Sequence, residues 1–138
     1  MTSALVGIIL GLVTIAFDAA WAGYCHRRGG DADEQRRRYG GAVPVSLLLW
    51  TLSGLVGSLL APPPVRFIAG PATALVTGVI DVTLGWWISM KLGPGMPPAE
   101  WTRAQIVGQA LRALMFAGAC GAIGSLLVAL LVAAGWVR

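Results

Sequence analysis

Four long apolar runs dominate this chain, each near or beyond the roughly 20 residues an α-helix needs to cross about 30 Å of hydrocarbon. The first extends from about Ser3 to Tyr24 and is closed by Cys25-His26-Arg27-Arg28. The second starts near Ala42, with Pro44 suited to a first helical turn, and stops before Pro62-Pro63-Pro64. The third occupies about Phe67 to Met90, ahead of Lys91 and a Gly/Pro-rich connection at 93–98. The fourth is apolar from Ala113 to Val137, and its helix starts as early as Trp101. With 57% hydrophobic and only 12% charged residues, and a mean hydropathy of +0.76, the chain lacks the polar surface a soluble globule requires. The expected fold is an all-α integral membrane protein of four transmembrane helices, with the lipid bilayer as its solvent.

The net charge of +4 reads as topology rather than as a nucleic-acid footprint, because the basic residues cluster in short connections between spans. Arg27, Arg28, Arg36, Arg37 and Arg38 lie in the first connection, and Lys91 and Arg103 flank the third, whereas the opposite side carries only Arg66 and Arg138. The positive-inside rule then predicts a multi-pass protein of the bacterial inner (cytoplasmic) membrane, with both hairpin loops cytoplasmic and both termini outside. Tyr24, Trp86, Trp87, Trp101 and Trp136 suit interfacial anchors, while Trp50, in mid-span, suits the core. Ala20 and Ala22 form an A-x-A pattern, but no basic residue precedes the first run and Asp18 lies inside it, so it is read as a span rather than a cleaved signal.

Internal similarity adds a second layer. Leu12-Val13-Thr14 followed by Asp18 recurs 63 residues later as Leu75-Val76-Thr77 followed by Asp81. Gly54-Leu55-Val56-Gly57-Ser58-Leu59-Leu60 recurs as Gly121-Ala122-Ile123-Gly124-Ser125-Leu126-Leu127. The expectation is a tandem duplication of a two-helix hairpin, residues 1–64 and 65–138, within one membrane domain. Units with an even number of spans keep the same orientation and are related by an axis along the membrane normal.

The repeat carries the two acids that fall inside spans. Helical spacing places Thr14, Asp18 and Ala22 on one stripe and Thr77, Asp81 and Gly85 on its counterpart, roughly 12–15 Å inside the cytoplasmic ends. A charged aspartate at mid-span costs at least about 2.5–3.5 kcal/mol, so both should face the bundle interior or a wet cavity. One reading makes Asp18, Asp81, Thr14 and Thr77 an ion or proton site between the halves; the other makes the carboxyls interhelical glue. Arg112 is the nearest cation, either pairing with one aspartate or snorkelling to the interface; it lies about 180° around an ideal helix from Gly121, which favours the interface.

Gly54, Gly57, Gly118, Gly121 and Gly124, with Ser58, Ala61 and Ser125, form small-residue strips that bring helix backbones together, within one bundle or across a homo-oligomer. A four-helix chain of this size leaves little room for a private cavity, so transport favours assembly or other membrane protein subunits. His26 is the only histidine, and no P-loop, dinucleotide fingerprint or nucleophile motif is present, which argues against an enzyme and implies no cofactor. Cys25 and Cys120 fall in different spans and read as small core residues; no metal is identified. No family signature is recognised. The functional expectation is a small ion- or proton-coupled transporter or channel subunit using the paired aspartates, or alternatively a non-catalytic accessory subunit of a larger membrane complex.

The arginine asymmetry generates the first test. Single cysteines at Asp33 and Pro97 should react only with reagents that reach the cytoplasm, and one at Pro63 should react from outside; labelling of the first two from outside reverses the orientation.

Overall fold

The computed structural model describes residues 2–92 and 101–137 and is 88% helical, with no strand among the described residues. Its elements are α1 (Thr2–Arg27), α2 (Ala32–Gly40), α3 (Val43–Leu59), a 3-10 turn (Pro63–Val65), α4 (Arg66–Ile80), a π turn (Asp81–Gly85), α5 (Trp86–Leu92) and α6 (Arg103–Ala133). Four stretches, Leu5–Arg27, Ala32–Leu59, Pro63–Leu92 and Arg103–Ala133, are long and apolar enough to cross a membrane. Much of the connection between the third and fourth of these, including Pro97, lies outside the described residues.

Local chemistry sets the boundaries. Gly29 and Gly30 take positive φ, which lets the chain turn directly after α1. The Asp31 carboxylate then accepts the Glu34 N–H at 2.7 Å and starts a helix inside what the sequence suggests is a simple loop. α2 is tied back to the bundle by the Trp21 Nε1–H, which donates to the Arg38 carbonyl at 3.2 Å. Arg38 in turn donates to the Gly29 carbonyl at 2.8 Å and pairs with Glu34. The prolines at 62–64 end the α3 segment, and a reciprocal capping box between Thr102 and Gln105 starts α6.

α4 is the central helix, packing on α1, α3 and α6, while α3 also packs along α6 and α1 barely meets α6. Contacts run in the same direction between α1 and α4, where Gly7 meets Val76 and Gly11 meets Ile80, so these helices are parallel. The same holds for α3 and α6, where Gly54 lies on Gly121 and Ser58 on Ser125. α4 runs antiparallel to both, with Gly57 against Thr73 and Gly121 against Pro71 and Ala74.

The inside of the bundle is small and polar, and the outside is large and apolar. Fully or almost fully buried residues include Thr14, Ala22, Cys25, Ser53, Ser58, Thr73, Ala74, Thr77, Ala117 and Val128, whereas Leu5, Ile9, Leu12, Phe67, Ile68, Met115, Phe116 and Leu126 are exposed. That distribution suits helices in lipid, where hydrophobicity gives no drive for one helix to prefer another and close backbone approach supplies the contact. Trp50 is the exception in size: it is buried with Ala117 and Cys120, as its mid-span position suggests.

The strip glycines are not equivalent. A Cβ added at Gly124 would lie 2.4 Å from the Leu55 nitrogen and 2.6 Å from the Thr51 carbonyl, both fixed backbone atoms. At Gly118 the nearest atom, Leu75 Cδ2, is 3.6 Å away, an ordinary contact, so Gly118 stands outside the tight seam. Gly124→Ala should therefore destabilise the purified protein by about 1–3 kcal/mol through overpacking, while Gly118→Ala should stay within about 0.5 kcal/mol of the parent. Thermal unfolding in detergent measures both, and equal effects contradict the packing described.

Candidate functional site: a buried carboxyl pair

The interior stripe of α1 reads Gly7, Gly11, Thr14, Ile15, Asp18, Ala22 and Cys25, residues that recur every three or four positions and are all buried. The corresponding stripe of the third segment is Ala69, Thr73, Thr77, Asp81 and Gly85, one residue every helical turn. Because Gly7 and Gly11 have no side chain, α1 lies against Val76 and Ile80 with contacts near 3 Å to any added Cβ. Parallel packing in that register brings Asp18 beside Gly85, one helical turn along from Asp81.

The two carboxyls meet there. Asp18 and Asp81 are each only 5% exposed, and their carboxyls come together beside Gly85. A carboxylate is an acceptor only, so two carboxyls that approach this closely can bond to each other only with a proton on one of them. Gly85 makes the space for the pair: its own Cβ position lies 2.9 Å from Asp81 Oδ1 and 3.2 Å from Asp18 Oδ2. The backbone widens at this level, where the Trp86 N–H reaches back to the Asp81 carbonyl in the π turn Asp81–Gly85. Such single π turns interrupt an α-helix locally and recur at functional positions.

The two threonines lie on the same buried faces, but their hydroxyls are directed to backbone and to another hydroxyl. Thr14 donates to the Leu10 carbonyl at 2.9 Å. Thr77 Oγ1 lies 3.1 Å from the carbonyls of Gly7 and Thr73 and 3.2 Å from Ser53 Oγ, so it joins α1, α3 and α4. Farther along the same interior, Ser58 and Ser125 bond to each other at 2.8 Å, and Thr73 donates to the Ala69 carbonyl at 2.7 Å. A seam of hydroxyls thus runs through the bundle toward the carboxyl pair.

Ser53 and Thr73 escape the sequence reading, and Ser58 and Ser125 enter it only as small residues. Extending the Thr77–Asp81 stripe one turn back would have found Thr73. Arg112 lies elsewhere. It is exposed and lines surface grooves with Trp101, Gln105 and Gln109 on one side and Met115 and Phe116 on the other. The structure therefore brings together Asp18 and Asp81, sets Thr14 and Thr77 on the same buried faces, and leaves Arg112 on the outer surface.

Residues matched by the internal similarity also meet each other in space: Asp18 with Asp81, Gly54 with Gly121, and Ser58 with Ser125. The helix packing as a whole is less symmetric, since α3 packs on α4 while α6 barely meets α1. Among the described residues no group of three or more His, Cys, Asp or Glu side chains comes together as a metal-ligand set. No known protein family matches the chain, and neither a curated protein nor a solved structure shows significant similarity to it.

What two adjoining buried carboxyls can do chemically is hold a proton between them and exchange it, since a second negative charge at this spacing is strongly repelled in a medium of low dielectric. The space at Gly85 supplies a check. Gly85→Ala should cost about 1–3 kcal/mol by crowding both carboxyl oxygens, and that cost should fall in an Asp81→Ala background, where the nearest atom, Asp81 Oδ1, is gone. Additive costs in this double-mutant cycle would mean that Gly85 does not serve the pair.

Proposed function

We propose that this protein is a multi-pass subunit of the bacterial inner membrane in which Asp18 and Asp81 form the proton-binding site of a small proton-coupled transporter or channel. The observation that carries this reading is the meeting of two buried carboxyls beside Gly85, on parallel segments from the two halves of the chain. Intramembrane acids are expensive and are kept where a proton or an ion passes. Structural glue alone would be served by an amide or a hydroxyl, and the bundle already uses hydroxyls that way at Ser58–Ser125 and Thr77–Ser53. A carboxyl pair adds the one capacity those groups lack, which is to take up and release a proton.

In this reading Asp18 and Asp81 are the proton carriers, Gly85 keeps their space clear, and Thr14 and Thr77 hold the flanking turns of α1 and α4. The meeting of Gly54 with Gly121 and of Ser58 with Ser125 supports a duplicated hairpin, although Gly7 and Gly11 of α1 meet Val76 and Ile80 rather than their repeat counterparts Gly70 and Ala74. The arginine-rich connection supports cytoplasmic hairpin loops and outward termini. Self-association, if it accompanies transport, would use a surface other than the small-residue strips, because Gly54, Gly57, Gly121 and Gly124 are buried within the chain. The accessory-subunit reading draws on the exposed apolar surface that includes Phe67, Ile68, Met115 and Phe116.

Asn retains the shape of Asp and most of its hydrogen bonding but carries no exchangeable acidic proton, which separates the two readings. Asp18→Asn and Asp81→Asn proteins should fold and insert, and at least one should lose proton-dependent flux in proteoliposomes by about tenfold or more. Parental flux in the double Asn variant would leave the carboxyls as packing elements.

A further inference from the structure

Arg112 has no part in the carboxyl pair, yet it lies at the junction of two grooves on the outer face of α6. The first, about 450 Å³, runs from Trp101 over Ala104 and Gly108 to Arg112, with the amides of Gln105 and Gln109 along it. The second, about 240 Å³, continues from Arg112 over Met115, Phe116 and Ala119 and is otherwise apolar. The first groove sets two amides and a guanidinium among apolar surface, the next is greasy, and Arg112 belongs to both.

The depth of Arg112 matches that division. The α4–α6 contacts, Ala74 at Gly121 and Gly78 at Ala117, place Arg112 within one turn of the level of Asp81, on the side nearer the Trp101 end of the bundle. When α6 spans the bilayer, the long Arg112 side chain extends from there toward the level of the lipid phosphates. Trp101, Gln105 and Gln109 then lie among the headgroups, and Met115 and Phe116 lie among the acyl chains. Gln105 uses its side-chain oxygen at the α6 cap, accepting from the Thr102 N–H at 2.8 Å, which leaves its amide nitrogen as a donor. Arginine presents several N–H donors in a plane that suits a phosphate, and a single phosphate with one net negative charge complements a single guanidinium.

We propose that this double groove binds one anionic phospholipid, its phosphate on Arg112 and its headgroup between Trp101, Gln105 and Gln109, with an acyl chain along Met115 and Phe116. The proposal rests on α6 spanning the membrane and is independent of what the carboxyl pair does. It assigns Arg112 the task of fixing the register of α6 against the bilayer surface at the end of the bundle where α2 presents its arginines.

The test uses the purified full-length protein, delipidated in detergent, and native mass spectrometry with three probes: long-chain phosphatidylglycerol, phosphatidylcholine with the same chains, and dihexanoyl phosphatidylglycerol. The parent should hold one long-chain phosphatidylglycerol about tenfold more tightly than phosphatidylcholine, and the short-chain form more weakly. Arg112→Gln should remove that preference, whereas Arg103→Gln, outside the grooves, should keep it. Gly108→Leu provides a second route that leaves every charge in place: no atom lies within 4 Å of its added Cβ, so the fold should tolerate it while the side chain fills the first groove. It too should weaken phosphatidylglycerol binding about tenfold. Equal binding of the two long-chain lipids by the parent would overturn the proposal. So would a preference that persists in both Arg112→Gln and Gly108→Leu, or short-chain binding as tight as long-chain binding, which would mean a headgroup contact without an acyl groove.

Discussion

A carboxyl removed from water needs another polar group within reach, and in this chain the partner Asp18 finds is Asp81. Most of the remaining interior follows from that requirement. For the two side chains to meet, α1 must present its Gly7–Gly11–Thr14–Asp18 stripe to α4 in parallel, and glycine at 7 and 11 is what lets Val76 and Ile80 come close enough. Gly85 must lack a side chain because the carboxyl oxygens occupy that volume. The helix loosens into a π turn at the level where the acid projects.

Around that contact, the bundle is held by close approach rather than by bulky apolar packing. The α3–α6 crossing is backbone against backbone at Gly54 and Gly121, and Gly70 of α4 faces the Ser58 and Ser125 hydroxyls where those helices meet. Small residues permit dispersion contacts and interhelical hydrogen bonds that large ones would block. Large side chains such as Leu12, Ile68, Phe116 and Leu126 are left for the outer surface, a distribution that suits contact with lipid. Interior and exterior are thus inverted relative to a water-soluble bundle, as composition alone suggests.

Much of this was legible in the chain. Four apolar runs were visible because span length is a simple consequence of helical rise and hydrocarbon thickness, and the shared stripes of Thr14–Asp18 and Thr77–Asp81 follow from helical periodicity. The 180° separation of Arg112 from Gly121 pointed it away from the close-packed face, and the structure has it exposed. Other features depend on tertiary context that periodicity does not encode. Helix α2 begins with an Asp31–Glu34 cap whose residues stand in the sequence, but the arginine run that follows suits a charged loop equally well. The π turn carries no composition signal, since its Asp81-Val82-Thr83-Leu84-Gly85 segment would also suit an ordinary helix. Distinguishing Gly124, set against backbone, from Gly118, set against the tip of Leu75, requires knowing which helix lies opposite. The meeting of Asp18 with Asp81, rather than of either with a cation, likewise depends on the parallel placement of α1 and α4.

The central claim is that these two carboxyls share a proton inside the bundle, and infrared spectroscopy of the membrane-embedded protein addresses it directly. A protonated carboxyl absorbs as a carboxylic-acid C=O stretch, distinct from ionised carboxylates and from the amide backbone. The account predicts one such band that shifts on exchange into D₂O and is lost in the Asp18→Asn, Asp81→Asn double variant. Absence of the band in the parent, or its full persistence in the double variant, would contradict a proton held between Asp18 and Asp81.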